Sequence, residues 1–186
     1  MAQKIIKKAL WTTLYKLMKE KPFSAITIEE ICIEAGTSRR NFYRYFSDKY
    51  ELLSCLYYEE FFSKIKMHDG WGVWDYHPQL CRQCYEERAF FRNAFKIEGQ
   101  NSLREYVRDL LAPLIRNDYA GSGLPEEEME FFITNITNML FNYMQMWLET
   151  EPCMPPEEFS IKVRKGFAAY TKRAYEITKK SLEQES

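Results

Sequence analysis

Apolar residues return every three or four positions in stretch after stretch of this chain, and little interrupts them. Ile5, Ile6, Ala9, Leu10, Thr13, Leu14, Leu17 and Met18 draw one stripe along a helix from about Gln3 to Glu20. Only seven Gly and seven Pro occur in 186 residues, so most of the chain must lie in long regular elements. An all-α fold of about eight or nine helices is expected.

Punctuation marks where those helices begin and end. Lys21-Pro22 closes the first. Thr27 precedes Ile28-Glu29-Glu30 as an N-cap with acids in the first turn, and Ile28, Ile31, Cys32 and Ala35 form the buried side of a short helix that stops at Gly36. Ser38 caps a helix from Arg39 to about Phe46, and Ser47 or Asp48 caps a long one carrying Tyr50, Leu53, Leu56, Tyr57, Phe61, Ile65 and Met67. Gly70, Gly72 and Pro78 break the stretch His68–Pro78. Further helices are expected at about Pro78–Ile97, Ser102–Asn117, Glu126–Thr150 and Glu157–Lys180.

The net charge of −1 conceals an asymmetry: residues 1–50 carry +5 and the rest −6. A basic N-terminal unit on an acidic body points to a polyanion-binding head. Within it, a short helix, a turn containing Gly36 and a second short helix form a helix-turn-helix. Ile31, Ala35, Phe42 and Phe46 can meet in the angle between the two helices, which leaves Arg39, Arg40, Asn41, Tyr43 and Tyr45 facing outward. No acid occurs between Ala35 and Ser47, whereas an ordinary solvated face would mix Lys with Glu.

Three signatures fall in register here: Thr27-Ile-Glu-Glu-Ile31, Ala35-Gly-Thr-Ser38, and Phe42-Tyr-Arg-Tyr-Phe46 followed by Lys49 and Leu52-Leu53. On these, residues 3–53 resemble the N-terminal domain of the TetR/AcrR family of transcription regulators. The resemblance implies a three-helix DNA-binding domain over residues 1–48 and a helical regulatory and dimerisation domain over 49–186. It places Thr37, Ser38, Arg39, Arg40, Asn41, Tyr43 and Tyr45 at the major groove of double-stranded DNA, with Thr27 and Lys49 reaching phosphates. The chemistry agrees, since Arg can donate two parallel bonds to guanine and Asn can pair in the same way with adenine. Arg40 and Tyr45 depart from residues common in the family, so an operator sequence does not carry over.

In the body, Phe132, Ile136, Met139, Leu140, Tyr143 and Trp147 occupy more than one face of a helix, and Val163, Phe167, Tyr170 and Ala174 line the next. Such helices must be buried on more than one side, in a monomer's core or in a homodimer. The resemblance implies the dimer, with these residues in a four-helix bundle between protomers. The segment Cys84–Leu103 is similar to a C-terminal region of regulators of dihydroxyacetone kinase genes, a subgroup whose inducing partner can be a protein. The effector is thus a small molecule or a protein. A small-molecule pocket is expected between the linker and middle helices, with Phe61, Tyr85, Arg88, Phe91, Tyr106 and Tyr143 supplying aromatic walls and one cation.

The role expected of such a chain is regulation of transcription, as a repressor on a pseudo-palindromic operator, with an activator or an adaptor under a protein partner as the alternative. An enzyme finds little support: His68 and His77 are the only histidines, and no phosphate loop or nucleophile elbow occurs. Five cysteines are an odd count, and Cys81-Arg-Gln-Cys84 has neither a second Cys-x-x-Cys nor a His cluster beside it. The thiols therefore read as reduced and structural, with no metal and no cofactor. No stretch is apolar enough to span a membrane and no signal peptide opens the chain, so the expected location is the cytoplasm.

Overall fold

The computed structural model describes residues 2–65, 68–99 and 102–184, and every regular element among them is helical. In chain order these are α1 Ala2–Glu20, α2 Ile28–Glu34, α3 Arg39–Tyr43, α4 Lys49–Leu56, α5 Val73–Glu86, α6 Arg88–Ala94, α7 Leu103–Asp118, α8 Glu126–Glu149 and α9 Pro156–Gln184. The all-α expectation is met. Met67, expected on the linker helix, lies outside the described residues.

The caps read from sequence take up their backbone amides. Thr27 Oγ1 accepts from Glu30 N at 3.1 Å, Ser38 Oγ from Asn41 N at 3.2 Å, and Asp48 Oδ1 from Tyr50 N and Glu51 N at 2.8 and 2.9 Å. Gly36, at φ 64°, adopts the left-handed conformation that ends α2 and turns the chain into α3.

Two of the expected helices differ in the structure. The segment expected as one helix from Pro78 to Ile97 is two, because Glu87 (φ −104°, ψ 29°) breaks it and turns α6 onto α1. Its start lies earlier, at Val73, with Pro78 inside α5. There Gly72 N donates to Asp75 Oδ2 and Val73 N to Asp118 Oδ2, both at 2.9 Å, so two carboxylates nucleate the helix before the proline is reached. A Cβ on Gly72 would stand 1.7 Å from Asp118 Oδ1, so a larger residue there would displace the carboxylate that accepts from Val73 N. Finally, the linker is not one α-helix: beyond Leu56 it widens into a π turn, Tyr57–Phe61, then tightens into a 3-10 turn at Phe62–Lys64. This places Tyr57 against Tyr106, Phe61 against Phe90 and Phe91, and Phe62 against Tyr106, with ring centroids 4.8–5.6 Å apart.

α7 and α8 run antiparallel, as Arg116 pairs with Glu126 and Glu130 while Arg104 reaches Asn138 and Asn142. α5 and α9 do the same, with Trp74 on Phe167 and Arg82 by Glu157. One buried cluster runs from Leu10 and Phe42 in the head through Phe61 and Phe90 to Trp147 and Phe159 in the body. A second fills the far end of the body around Tyr76, Ile115 and Ile133.

Candidate nucleic-acid interface

α2 and α3 meet over Ile31 and Phe42, both fully buried, with Phe46 behind them. The arrangement exposes Arg39, Arg40, Tyr43 and Arg44 on the outer face of α3. Thr27 and Ser38 are exposed at helix starts. Each hydroxyl oxygen already accepts a backbone amide, which leaves its proton to donate to a phosphate. Asn41 is half-buried and its Nδ2 donates to Thr37 Oγ1 at 3.3 Å, so reading a base with that amide would exchange this bond.

Tyr45 and Lys49 stand further in. Tyr45 packs against the head's core with the Lys7 ammonium over its ring. Lys49 Nζ donates to Phe23 O and Ile26 O at 2.9 Å each, which ties the start of α4 to the turn after α1. Burial lowers its pKa from the ordinary lysine range. Two of its three ammonium protons are thus spent inside the fold. Sequence reasoning passed over Ile33, exposed beside the turn and lining a cleft with Ile5, Thr37 and Asn41. Its signal was present, since Ile33 lies off the buried stripe of α2.

The head joins the body through α6. Asn93 Nδ2 donates to Met18 O at 2.9 Å and Lys21 O at 2.5 Å, and its Oδ1 accepts from Phe23 N at 3.0 Å. One body side chain thereby satisfies backbone groups that the end of α1 leaves unpaired. Next to it, Glu87 accepts from Tyr15 at 2.5 Å and from Lys19 at 2.9 Å. Burial opposes its charge, but these two bonds outweigh it and hold the Glu87 carboxyl below its usual range. Asn93→Ala is expected to cost about 1–3 kcal/mol of stability and to speed amide exchange across residues 15–25. Unchanged exchange there would contradict the junction's role.

The six residues expected around one effector pocket do not surround a common cavity, although Phe61 meets Phe91 and Arg88 meets Tyr85. Phe61 and Tyr106 sit in the aromatic cluster, Tyr85 stacks on Trp147, Arg88 lies exposed over Tyr85, and Tyr143 is exposed. Only Phe91 lines the apolar cavity of about 60 Å³ in the body, together with Phe62, His77, Cys84, Phe95 and Met144. In sequence these were indistinguishable from plain core.

The residues expected at a dimer interface also divide. Leu140 and Trp147 lie inside the chain's own core, and Trp147 stacks on Phe159 at 4.1 Å while its Nε1 donates to Met154 O at 2.9 Å. Phe132, Ile136, Met139, Val163 and Phe167 are half-buried, whereas Tyr143, Tyr170 and Ala174 are exposed. On α9 the stripe Phe159, Val163, Phe167 is covered, and its continuation through Tyr170, Ala174 and Ile177 is bare; residues 168–180 are all exposed. Met146, exposed on α8, adds to this uncovered surface.

Between α5, α8 and α9 lies a buried polar group. His77 Nδ1 is 3.0 Å from Ser160 Oγ, and Cys81 Sγ is 3.9 Å from Met144 Sδ. Burial, helped by Arg164, pushes the His77 pKa down to about 4, and burial pushes the Cys81 thiol up to about 12. Both are neutral at pH 7.

Residues 12–55 match the profile of bacterial regulatory proteins of the tetR family, and residues 75–166 match a transcriptional regulator C-terminal region. Among solved structures, the dihydroxyacetone kinase operon activator DhaS is similar at 20% identity and a TM-score of 0.61, over 92% of this chain and 97% of that one. A TetR transcriptional regulator from Streptococcus agalactiae is similar at 19% identity and a TM-score of 0.62, over 85% of this chain and 90% of the other. No curated protein sequence matches.

Proposed function

The chain belongs to the TetR family of transcriptional regulators, and from that premise we propose that it binds a pseudo-palindromic operator as a homodimer, represses transcription there, and loses DNA affinity when an effector occupies its body. Residues 1–48 read DNA, and residues 49–186 dimerise and receive the effector. The observation that carries the reading is the acid-free, outward face of α3, with Arg39, Arg40 and Tyr43 on a helix held in place by a fully buried Phe42. Arg39 and Arg40 contact base edges; Thr37 and Asn41 assist them. Thr27, Ser38, Tyr43, Tyr45 and the remaining proton of Lys49 contact phosphates.

The bare stripe of α9, together with Tyr143 and Met146 of α8, is the surface on which a second copy closes a four-helix bundle. Two heads on one two-fold axis then meet two half-sites one helical turn apart or multiples of it. The effector reaches the body cavity beside Phe91, and α6 passes its occupancy to the head through Asn93 and Glu87. A second reading, activation under a protein partner, is favoured by the name of one structural neighbour, an operon activator. A reporter placed behind the operator separates the two by the sign of its response.

Arg40→Ala removes a contact of about 1–3 kcal/mol from each of the two half-sites and is expected to weaken operator binding by the dimer about 30-fold to 10⁴-fold. Affinity for random duplex at the same salt should stay within about twofold. Fluorescence anisotropy on both DNAs measures this. Equal losses on the two would move Arg40 from a base to a phosphate.

A further inference from the structure

α1 carries a basic side that the fold leaves largely uncompensated. Lys4, Lys8, Thr12 and Lys16 stand four residues apart and so form one row along the helix, with Lys7, Trp11 and Tyr15 in the row beside it. Both rows line a cleft of about 560 Å³, closed on the linker side by Cys55, Glu59, Glu60 and Lys64. Five ammonium groups and two carboxylates border it, which leaves three positive charges in excess. Lys64 is bonded to Glu60 at 3.2 Å, and Lys7 lies over the Tyr45 and Phe46 rings. Among the described residues, Lys4, Lys8 and Lys16 form no ion pair.

Such a row works against its own helix. Like charges four residues apart repel, and lysines in the first turns oppose the positive end of the helix dipole, with no acid in the first turn to offset them. Folding therefore gives no reason for the row, whereas an anion seated in the cleft does. DNA explains one end of it only. At 1.5 Å per residue, Lys16 lies about 18 Å along the axis from Lys4. Lys7, over Tyr45, marks the end near α3; Tyr15, whose hydroxyl donates to Glu87 of α6 at 2.5 Å, marks the end at the body. A duplex laid on α3 can reach the first end but is too broad to enter a cleft between two helices. A volume of 560 Å³ is instead that of a small-molecule site.

We propose that this cleft binds a purine nucleoside diphosphate. The charge fits: a terminal phosphate carries about 1.5–2 negative charges at pH 7 and the bridging one adds another, about three in all. Lys8 and Lys16, both exposed, meet the phosphates as mobile point charges. Trp11 packs one side on the core and is half-buried, so its indole offers the base a stacking surface at the cleft wall. Glu59 is exposed and forms no ion pair among the described residues. Its carboxylate suits the ribose hydroxyls and would repel a bare polyphosphate. Because α1 belongs to the head and Glu59 and Lys64 to the linker, the bound nucleotide ties one to the other. Binding does not depend on the operator reading; any effect of the nucleotide on DNA affinity rests on it.

Equilibrium dialysis of the full-length, DNA-free protein against ADP, with GDP in parallel at moderate salt, tests the proposal. One nucleotide per chain is expected for at least one of the two, with pyrophosphate and adenosine each held at least about 10-fold more weakly. Changing Lys8→Gln and Lys16→Gln together, at exposed positions where the fold tolerates it, should weaken nucleotide binding by about 10-fold. Glu59→Gln should narrow the preference for nucleotide over pyrophosphate, a change that a merely structural role would not produce. No nucleotide bound, nucleotide and pyrophosphate bound equally, or binding indifferent to the lysine pair would each overturn the proposal. If the lysine pair lowers affinity for duplex DNA alone, the row belongs to the DNA interface and the proposal falls.

Discussion

Phe42→Ala should abolish sequence-specific DNA binding and melt the head while leaving the body's helices in place. The side chain is fully buried, with its ring centroid 5.4 Å from Tyr43 and 5.8 Å from Phe46, and it fills the angle between α2 and α3. Removing a ring from such a site costs about 3–5 kcal/mol, transfer and cavity together. That is a large part of any single domain's stability, and Phe42 is the buried residue of the five-residue α3. The exposed neighbour is the control: Tyr43→Ala should weaken DNA binding at a stability cost of about 1 kcal/mol, the edge contact with Phe42, well below that of Phe42→Ala. Amide exchange localised to α2 and α3, measured beside DNA affinity, checks both. A Phe42→Ala protein with native exchange in those helices would contradict the account.

Trp147→Ala is expected to be as damaging, and for a reason that separates core from interface. Its indole stacks on Phe159 and on Tyr85, and its Nε1–H is bonded to Met154 O, so the loss combines a cavity with an unpaired acceptor. The expected cost is about 3–5 kcal/mol, independent of protein concentration. An interface residue behaves otherwise, since its loss grows on dilution. Tyr143→Arg, on the bare surface of α8, should raise the dimer dissociation constant while leaving the fold of each chain intact. Chemical unfolding over a hundredfold range of protein concentration distinguishes the two. Concentration-dependent destabilisation by Trp147→Ala would return that residue to the dimer interface.

What could be read from the sequence follows what each residue interacts with. The head was legible because its signals are local: a cap at Thr27, a left-handed glycine at Gly36, a cap at Ser38 and two phenylalanines at helical spacing decide its shape within about twenty residues. The body was legible as helices but not as a site. Near Val73 the local sign of a helix start is Asp75 alone, which accepts from Gly72 N; the carboxylate that accepts from Val73 N, Asp118, is 45 residues away. Periodicity does not say whether Leu140 faces its own core or another copy, because an apolar face has the same spacing in both cases. Lys49 shows the same limit: its charge suggested a phosphate, while the carbonyls that hold it belong to the turn after α1.

The central claim is that α3 reads base sequence in a two-fold arrangement. Selection of bound fragments from random duplex DNA, at moderate salt and with Arg40→Ala in parallel, tests it most directly. The account expects a pseudo-palindrome with half-sites one helical turn apart or a multiple of it, blurred at one position per half-site in the Arg40 variant. Failure to enrich any sequence, with all binding lost as salt rises, would contradict it and leave the head a basic surface that reads no sequence.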